Sequence, residues 1–236
     1  MFTNIHDPQQ NKILQALPPV DYERIYSNLK LTPMPLGKVL YEQGGKLCYI
    51  YFPTDCIISL LSFMENGASV ETAVIGNEGA VGVSLLMGDK TMQNRAVVRS
   101  AGYAYRIREN LLMEEFDRHG MLLHTLLRYI QSLINQAAQM AVCNRFHTID
   151  QQLCRWLLVN LDRLSSNELK MTQSLISDML GVRREGITEA LGKLQKAGII
   201  QQSRGHIIIL DRDKLSGRVC ECYHVFNGEY YRLAAA

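Results

Sequence analysis

Two short apolar stripes separated by a glycine restrict the fold of this chain more than any other feature of its sequence. Both stripes have the three- and four-residue spacing of amphipathic helices, and the chain between them turns at Gly181-Val182. Thr172 precedes the first stripe as a helix N-cap, and β-rich runs around Arg204-Gly205 follow the second helix as a hairpin. The pattern predicts a winged helix-turn-helix domain. The stripe residues are Leu175, Ile176, Met179 and Leu180, then Ile187, Ala190, Leu191 and Leu194.

The second of these helices begins with two arginines and a glutamate. Arginine is unusual there because the helix dipole favours acidic groups in the first turn. Residues 183–206 hold five basic residues against two acidic ones, although the whole chain has a net charge of only +2. A solvated helix on a small bundle is the alternative to a nucleic-acid surface. The hairpin and the local charge favour the latter.

In a helix-turn-helix the second helix enters the major groove of duplex DNA. An arginine there can donate two hydrogen bonds to guanine, and a glutamate can accept one from cytosine N4. Hydroxyls and isolated basic groups suit phosphate contacts, which position the protein without reading sequence, and we assign this role to Thr172, Ser174, Lys193 and Arg204. The predicted DNA-binding residues are Thr172, Ser174, Arg183, Arg184, Glu185, Thr188, Glu189, Lys193 and Arg204.

The first half of the chain has a different sequence pattern. Short β-rich runs over residues 31–108 are separated by turn signals such as "MENGAS" and "GNEG", which predicts an antiparallel sandwich or roll. Residues 9–30 have a helical pattern that restarts at Asp21 within "LPPVD", and residues 109–145 form a second helical pattern. Apolar residues in the second of these helices step by three and four, which favours a dimerisation helix, with a core helix lying on the roll as the alternative. The predicted dimer interface is Leu123, Leu126, Ile130, Leu133, Ala137 and Met140.

These patterns predict an α+β protein in three parts. An antiparallel, jelly-roll-like β-roll occupies residues 1–110, and a dimerisation helix with a hinge occupies residues 111–147. The winged helix-turn-helix domain occupies residues 148–236. The hinge falls at 146–148 because "NRFHTID" interrupts the apolar seam before a new helix begins.

The stretch "MTQSLISDMLGVRREGITEALGKLQKAGII" resembles the DNA-binding helices of the Crp/Fnr family of bacterial transcription regulators. The resemblance extends over most of the chain. It implies a homodimer that binds a roughly palindromic promoter or operator and contacts RNA polymerase. In that family an Arg-Glu pair is followed four positions later by another arginine. Arg184 and Glu185 match the pair, but Glu189 stands at the third position, so the usual half-site of the family cannot be assumed.

The cyclic-AMP sensors of that family hold their ligand with a Gly-Glu-Leu turn and a downstream Arg-Ser. Here Val83 stands in place of the glutamate and Asn94-Arg95 in place of the Arg-Ser pair. A ribose or phosphate left without its partner loses affinity, so we expect no cyclic AMP. We predict no cofactor, and the sequence does not identify an effector. We predict an altered effector pocket around Gly79, Gly82, Val83, Asn94 and Arg95.

The six cysteines are dispersed and no export signal precedes them, which predicts reduced thiols in the cytoplasm. Family members with an iron–sulfur cluster use an amino-terminal cysteine group, whereas the first cysteine here is Cys48. Cys220-Glu-Cys222 with His224 offers too few ligands for a closed metal site, so we predict ordinary thiols and no metal.

Two other classes of protein compete with a DNA-binding regulator. One is a cupin-like metal enzyme, and the other is a β-barrel that binds small molecules without any DNA function. Residues 36–110 contain no histidine, which argues against the metal enzyme. The sequence also has no nucleophile elbow, Walker loop or HExxH motif, and no apolar run near the ~18 residues of a membrane span. We therefore expect neither an enzyme nor a membrane protein.

Overall fold

The computed structural model describes residues 6–164 and 166–227. Residues 1–5, 165 and 228–236, which fall within the predicted domain ranges, lie outside the described residues. Of the described chain, one compact unit contains residues 6–62 and 73–135, and the other contains residues 63–72 and 136–227 except residue 165. The division therefore falls within the long helix rather than at residues 146–148.

The first unit begins with short helical segments. A 3-10 turn, Pro8–Gln10, is followed by α1, Lys12–Gln15, and α2, Pro19–Tyr26. The predicted restart of the helix after "LPPVD" is present, but α2 begins at Pro19 rather than at Asp21, because proline suits the first turn of a helix. Asn11 caps α1, and its side-chain amide donates to two carbonyl oxygens of the roll at 2.9 and 2.8 Å.

Two antiparallel sheets of the first unit form the roll. One has the order β1-β7-β3 and the other β2-β6-β4-β5. Their apolar inner faces and the amino-terminal helices share one buried core. The tip of the β4–β5 hairpin, residues 63–72, belongs to the second unit. The strands are β1 (Lys30–Met34), β2 (Val39–Tyr41), β3 (Tyr49–Pro53), β4 (Ile57–Phe63), β5 (Ser69–Ile75), β6 (Arg95–Ser100) and β7 (Gly102–Arg108).

The predicted helix over 109–145 is two helices. The first is α3, Glu109–Phe116, and the second is α4, Met121–Phe146. The first helix ends at Phe116 with Asp117 as its C-cap, and His119 in the connection to the second adopts a left-handed conformation with φ 57°. In its first three turns α4 packs Leu122, Leu126 and Tyr129 into the core of the roll.

The second unit contains the carboxyl-terminal helices and a small sheet. Helix α5 starts after Thr148, which forms a reciprocal capping box with Gln151. The sheet has the order β8-β10-β9 and is antiparallel, with the two-residue strand β8 as a member that the sequence did not indicate. Residues 222–227 are also helical. The elements are α5 (Ile149–Leu161), β8 (Glu168–Leu169), α6 (Gln173–Leu180), α7 (Arg184–Lys196), β9 (Ile200–Ser203), β10 (His206–Ile209) and α8 (Arg212–Ser216).

The fold class predicted from the sequence is confirmed: the chain is α+β, with antiparallel sheets in the first half and a winged helix-turn-helix at the carboxyl end. Across the part of the chain that the structure describes, no helix combines the length and the hydropathy needed to cross a bilayer.

Candidate nucleic-acid interface

The first helix of the pair is fixed at both ends by its own sequence. The Thr172 hydroxyl accepts a hydrogen bond from the backbone N–H of Leu175 at 3.2 Å, which satisfies one free donor of the first turn. At the other end Gly181 has φ 64°, a conformation that a residue with a Cβ rarely adopts. The tight turn into α7 therefore depends on this glycine.

Helix α7 separates its apolar and polar residues completely. Its buried face is the stripe seen in the sequence, from Ile187 to Leu194. The opposite face begins at the N-cap, Arg183, which makes no side-chain capping hydrogen bond. The predicted reading residues Arg183, Arg184, Glu185, Thr188 and Glu189 are all exposed on this helix or at its cap.

A groove brings four of the predicted residues together. It has a volume of about 500 Å³ and lies between the amino ends of α6 and α7 and the β9–β10 hairpin. Its lining includes Thr172, Ser174, Arg184 and Arg204. Arg204 is exposed and occupies the hairpin turn with Gly205, whose φ is 78°. One hydroxyl-rich wall and two guanidinium groups thus border the same concave surface.

Two glutamines outside the predicted set of DNA-binding residues connect the elements around this groove. The Thr188 hydroxyl donates to Oε1 of Gln173 at 2.8 Å. The side-chain amide of Gln173 then donates to Oε1 of Gln202 at 3.0 Å. This chain of hydrogen bonds links α7, α6 and β9. A glutamine directly after the helix cap and a polar "QQS" in a short strand were the available signals, but neither shows which partner it meets.

Lys193 lies away from the groove. Its amine pairs with Asp150 at 2.9 Å and with Glu189 at 3.0 Å. Hydrogen bonds, first to Asp150 and then to Glu189, raise the pKa of Lys193. The predicted phosphate role of Lys193 stays a prediction, with its charge shared with two carboxylates on α5 and α7 in this structure.

The predicted effector pocket is only partly assembled. Positions 79 and 82 require glycine because other side chains approach them closely. A Cβ on Gly79 would lie 2.5 Å from the Tyr129 hydroxyl, and one on Gly82 would lie 2.7 Å from a methyl group of Leu47. Gly82 also has φ 98°. The Tyr129 hydroxyl donates to the carbonyl oxygen of Ala80 at 3.0 Å. Because these glycines have no Cβ, the side chains of Tyr129 and Leu47 occupy the space beside them.

A cavity of about 180 Å³ remains in the roll, and Gly82, Val83 and Asn94 contribute to its lining. Neither Gly79 nor Arg95 lines it, which corrects that part of the prediction. The Arg95 guanidinium instead pairs with Glu42 at 3.2 Å. Asn94 accepts a hydrogen bond from the Tyr41 hydroxyl at 3.0 Å, and burial raises the pKa of this tyrosine, so it remains a neutral donor.

The predicted dimer-interface residues fall into three groups. Leu126 is 0% exposed in the roll core, so its assignment to a surface between chains requires correction. Ile130 and Leu133 are half-buried and pack against that core. Leu123 and Met140 are half-buried, and Ala137 is exposed. A different face of α4 is open to solvent and apolar: Leu127, Ile134, Ala138 and Val142.

The second unit also contains a group of side chains able to hold a metal ion. Cys143, His147, Cys220 and Cys222 place one donor atom each within 4.8 Å of all the others. The three thiols are buried. His224, which follows the "CEC" motif in the sequence, is exposed and is not a member of this group.

Comparisons with known proteins place this architecture in a class. Residues 151–218 match the family model described as a Crp-like helix-turn-helix domain. No curated protein matches the chain in sequence. Many solved structures share its fold. A transcriptional regulator of the Crp/Fnr family from Eubacterium rectale has a TM-score of 0.70 at 17% identity, over 87% of this chain and 96% of that one.

Two further structures show the same fold. The c-di-GMP-responsive global regulator CLP of Xanthomonas campestris has a TM-score of 0.65 at 15% identity, over 81% of this chain and 99% of that one. FixK2 of Bradyrhizobium japonicum has a TM-score of 0.67 at 14% identity, over 81% of this chain and 98% of that one. The predicted resemblance is confirmed: the chain has the Crp/Fnr fold, and its carboxyl-terminal unit contains a Crp-like helix-turn-helix domain.

Proposed function

We propose that this chain is a homodimeric transcription regulator that binds a specific double-stranded DNA sequence through α7. The observation that carries the proposal is the position of Arg184 and Glu185. Both are exposed in the first turn of α7, and Arg184 faces a groove that Arg204 borders from the hairpin. This geometry fits a recognition helix whose first residues meet base edges while the hairpin contacts the phosphate backbone.

Electrostatics favours a polyanionic partner at this surface. Residues 183–206 carry a net charge of +3 by their five basic and two acidic side chains. Glu189, the residue that departs from the family pattern, is paired with Lys193, which reduces its repulsion of phosphate. Arg184 and Glu185 are the candidate base readers in this arrangement, to guanine and cytosine respectively.

The open apolar face of α4 supports association with a second copy of the chain. Leu127 and Ile134 are 48% and 57% exposed and stand seven residues apart, which is one heptad. A paired α4 would present two recognition helices about one helical turn, roughly 34 Å, apart to the two halves of a near-palindromic site. We therefore move the proposed interface from the Leu126 stripe to this face, which keeps Ala137 near its edge.

We also propose that the roll senses a signal, and that this signal is not a cyclic nucleotide. Small-molecule sites commonly enclose about 300–1,000 Å³. The cavity here has about 180 Å³, and the nearby Arg95 is paired with Glu42. The proposed route for a signal is α4, one continuous helix with residues in both units. Contact with RNA polymerase is proposed from the family likeness.

Selection of bound fragments from random duplex DNA tests this function. The full chain is incubated with the pool at low salt, and bound fragments are sequenced after several rounds. We expect enrichment of one sequence with two inverted half-sites about ten base pairs apart, centre to centre. A chain that retains no duplex DNA even at low salt would overturn the proposal.

A further inference from the structure

The group of three cysteines and one histidine is not used by the proposed function. Cys143 lies in the last turn of α4, and the backbone N–H of His147 donates to its carbonyl oxygen at 3.0 Å. The helical path therefore continues to His147, which places the two side chains on the same face, four residues apart. Cys220 lies just before the helical residues 222–227 and Cys222 is the first of them, and both thiols approach that face.

The distances within this group match those of a metal site. Cys143 Sγ and Cys220 Sγ are 3.6 Å apart, and Cys222 Sγ lies 3.5 Å from Nδ1 of His147. Zinc bonds of about 2.3 Å to sulfur and about 2.0–2.1 Å to nitrogen place neighbouring tetrahedral donors roughly 3.5–3.8 Å apart. All four donors lie within 4.8 Å of one another, so small side-chain adjustments complete the tetrahedron.

We propose that these four side chains, the cysteine–histidine cluster, bind one Zn²⁺ ion in a closed tetrahedral site. Three thiolates and one imidazole form a donor set that tetrahedral zinc prefers. The cluster supplies all four ligands, which is typical of a structural rather than a catalytic zinc site. The thiols are 0–2% exposed, so water has little access to the site.

Outer groups orient the ligands as they do in known metal sites. Nδ1 of His147 faces the cluster, while its Nε2 lies 3.3 Å from the Glu221 carboxylate. A carboxylate on the far nitrogen fixes the ring and strengthens the metal-binding nitrogen. On the other side, the Gln139 amide donates to Cys222 Sγ at 3.0 Å, which stabilises a thiolate there.

A buried positive charge beside the cluster provides a second, independent observation. Arg155 is 1% exposed, and no carboxylate forms an ion pair with it anywhere in residues 6–164 and 166–227. Its guanidinium contacts Met140 Sδ at 3.5 Å and the Phe226 ring at 4.8 Å. Zinc with three thiolates and a neutral imidazole carries one net negative charge. The occupied site therefore offers Arg155 the counter-charge that a buried cation requires.

Cobalt titration of the full chain tests the site without reference to DNA. The protein is purified under reducing conditions, stripped with a chelator, returned to chelator-free buffer and titrated with Co²⁺. We expect the visible absorption bands of tetrahedral, thiolate-bound cobalt to saturate at one ion per chain. Added Zn²⁺ should then displace the cobalt and remove the bands.

Variants locate the binding to these residues. Cys222→Ser should weaken Co²⁺ binding by more than about 100-fold, whereas Cys48→Ser, an exposed cysteine outside the cluster, should bind as the wild type does. Glu221→Gln keeps every ligand and alters a side chain that is 79% exposed, so the fold is preserved. We expect it to weaken metal binding about tenfold.

Three results would overturn the proposal. The first is a wild-type chain that gives no saturable cobalt bands. The second is a Cys222→Ser chain that binds cobalt as tightly as the wild type. The third is a freshly purified, unreduced chain whose mass shows a disulfide between Cys143 and Cys220 and whose metal content is negligible, since these sulfur atoms are close enough to be oxidised together.

Discussion

The groove beside α7 and the cavity in the β-roll both follow from the same family resemblance, but their polar groups are arranged in opposite ways. Along the groove, Arg184 and Arg204 are exposed, and neither takes part in an ion pair within the described residues. In the predicted effector pocket, Arg95 pairs with Glu42, and Asn94 accepts a hydrogen bond from Tyr41. The two groove arginines therefore keep their charges for a partner, whereas Arg95 and Asn94 already have partners within the chain.

The largest expected effect comes from the close packing of Tyr129 against Gly79 in the predicted effector pocket. Gly79→Ala would place a Cβ 2.5 Å from the Tyr129 hydroxyl, so the free energy of unfolding should fall by about 2–3 kcal/mol. Chemical denaturation followed by circular dichroism measures this loss. Gly192→Ala is the matched control on α7, because nothing lies within 4 Å of its added Cβ. It should stabilise the chain by up to about 1 kcal/mol.

If Gly79→Ala were as stable as the wild type, Tyr129 would be able to move aside. The turn beside the cavity would then be adaptable rather than fixed, and the contrast with the groove would be weaker.

The next effect concerns sequence reading. Arg184→Ala should cost about 1–3 kcal/mol of binding to the selected site, because two hydrogen bonds to guanine are lost. Binding to unrelated duplex DNA should change little, since phosphate contacts remain. Fluorescence anisotropy on both duplexes provides the measurement, with Arg95→Ala as a control that should leave both affinities unchanged. Equal losses on the two duplexes would show that Arg184 contacts phosphate instead of bases.

A smaller effect is expected from the glutamine link. Gln173→Ala removes the hydrogen bonds that join Thr188 on α7 to Gln202 on β9. Because a net hydrogen bond contributes about 0.5–1.5 kcal/mol, specific binding should weaken by roughly that amount through looser positioning of α7 and the hairpin. Repeating the selection with this variant should yield a less sharply defined half-site. An unchanged half-site and affinity would mean that the link has no role in positioning.

The sequence predicted local features well because their causes are local. Thr172 as a cap, Gly181 as the turn and the stripe of α7 each depend on a few neighbouring residues, and the structure contains all three. Helix α4 was harder because it has two apolar stripes. Periodicity alone cannot tell which one meets the roll, and Leu126 proved to be in the core.

Other features depend on residues far apart in the chain. Cys143 and Cys220 are separated by 77 positions, so a count of ligands near the "CEC" motif could not include the helix residues. The partner of Arg95, Glu42, likewise lies 53 positions away in the sequence, and the two meet only in the folded structure. The cysteine–histidine cluster and the Arg95–Glu42 pair could not be predicted because they depend on which distant residues the fold brings together, and not on residue type.

The smallest expected effect is a difference in DNA binding between variants of Arg204 and Lys193, both of which the sequence predicts to contact phosphate. Arg204 borders the groove from the hairpin turn, so Arg204→Ala should weaken binding to all duplexes and reduce the slope of log affinity against log salt by about one. Lys193 is already paired with Asp150 and Glu189, so Lys193→Ala should leave the slope nearly unchanged and, because Glu189 loses its partner, lower affinity by no more than about twofold. Salt titrations of the two variants on one nonspecific duplex make the comparison. If Lys193→Ala lowered the slope as much as Arg204→Ala, its carboxylate pairs would have to open on DNA, and the cationic surface would extend along the whole of α7.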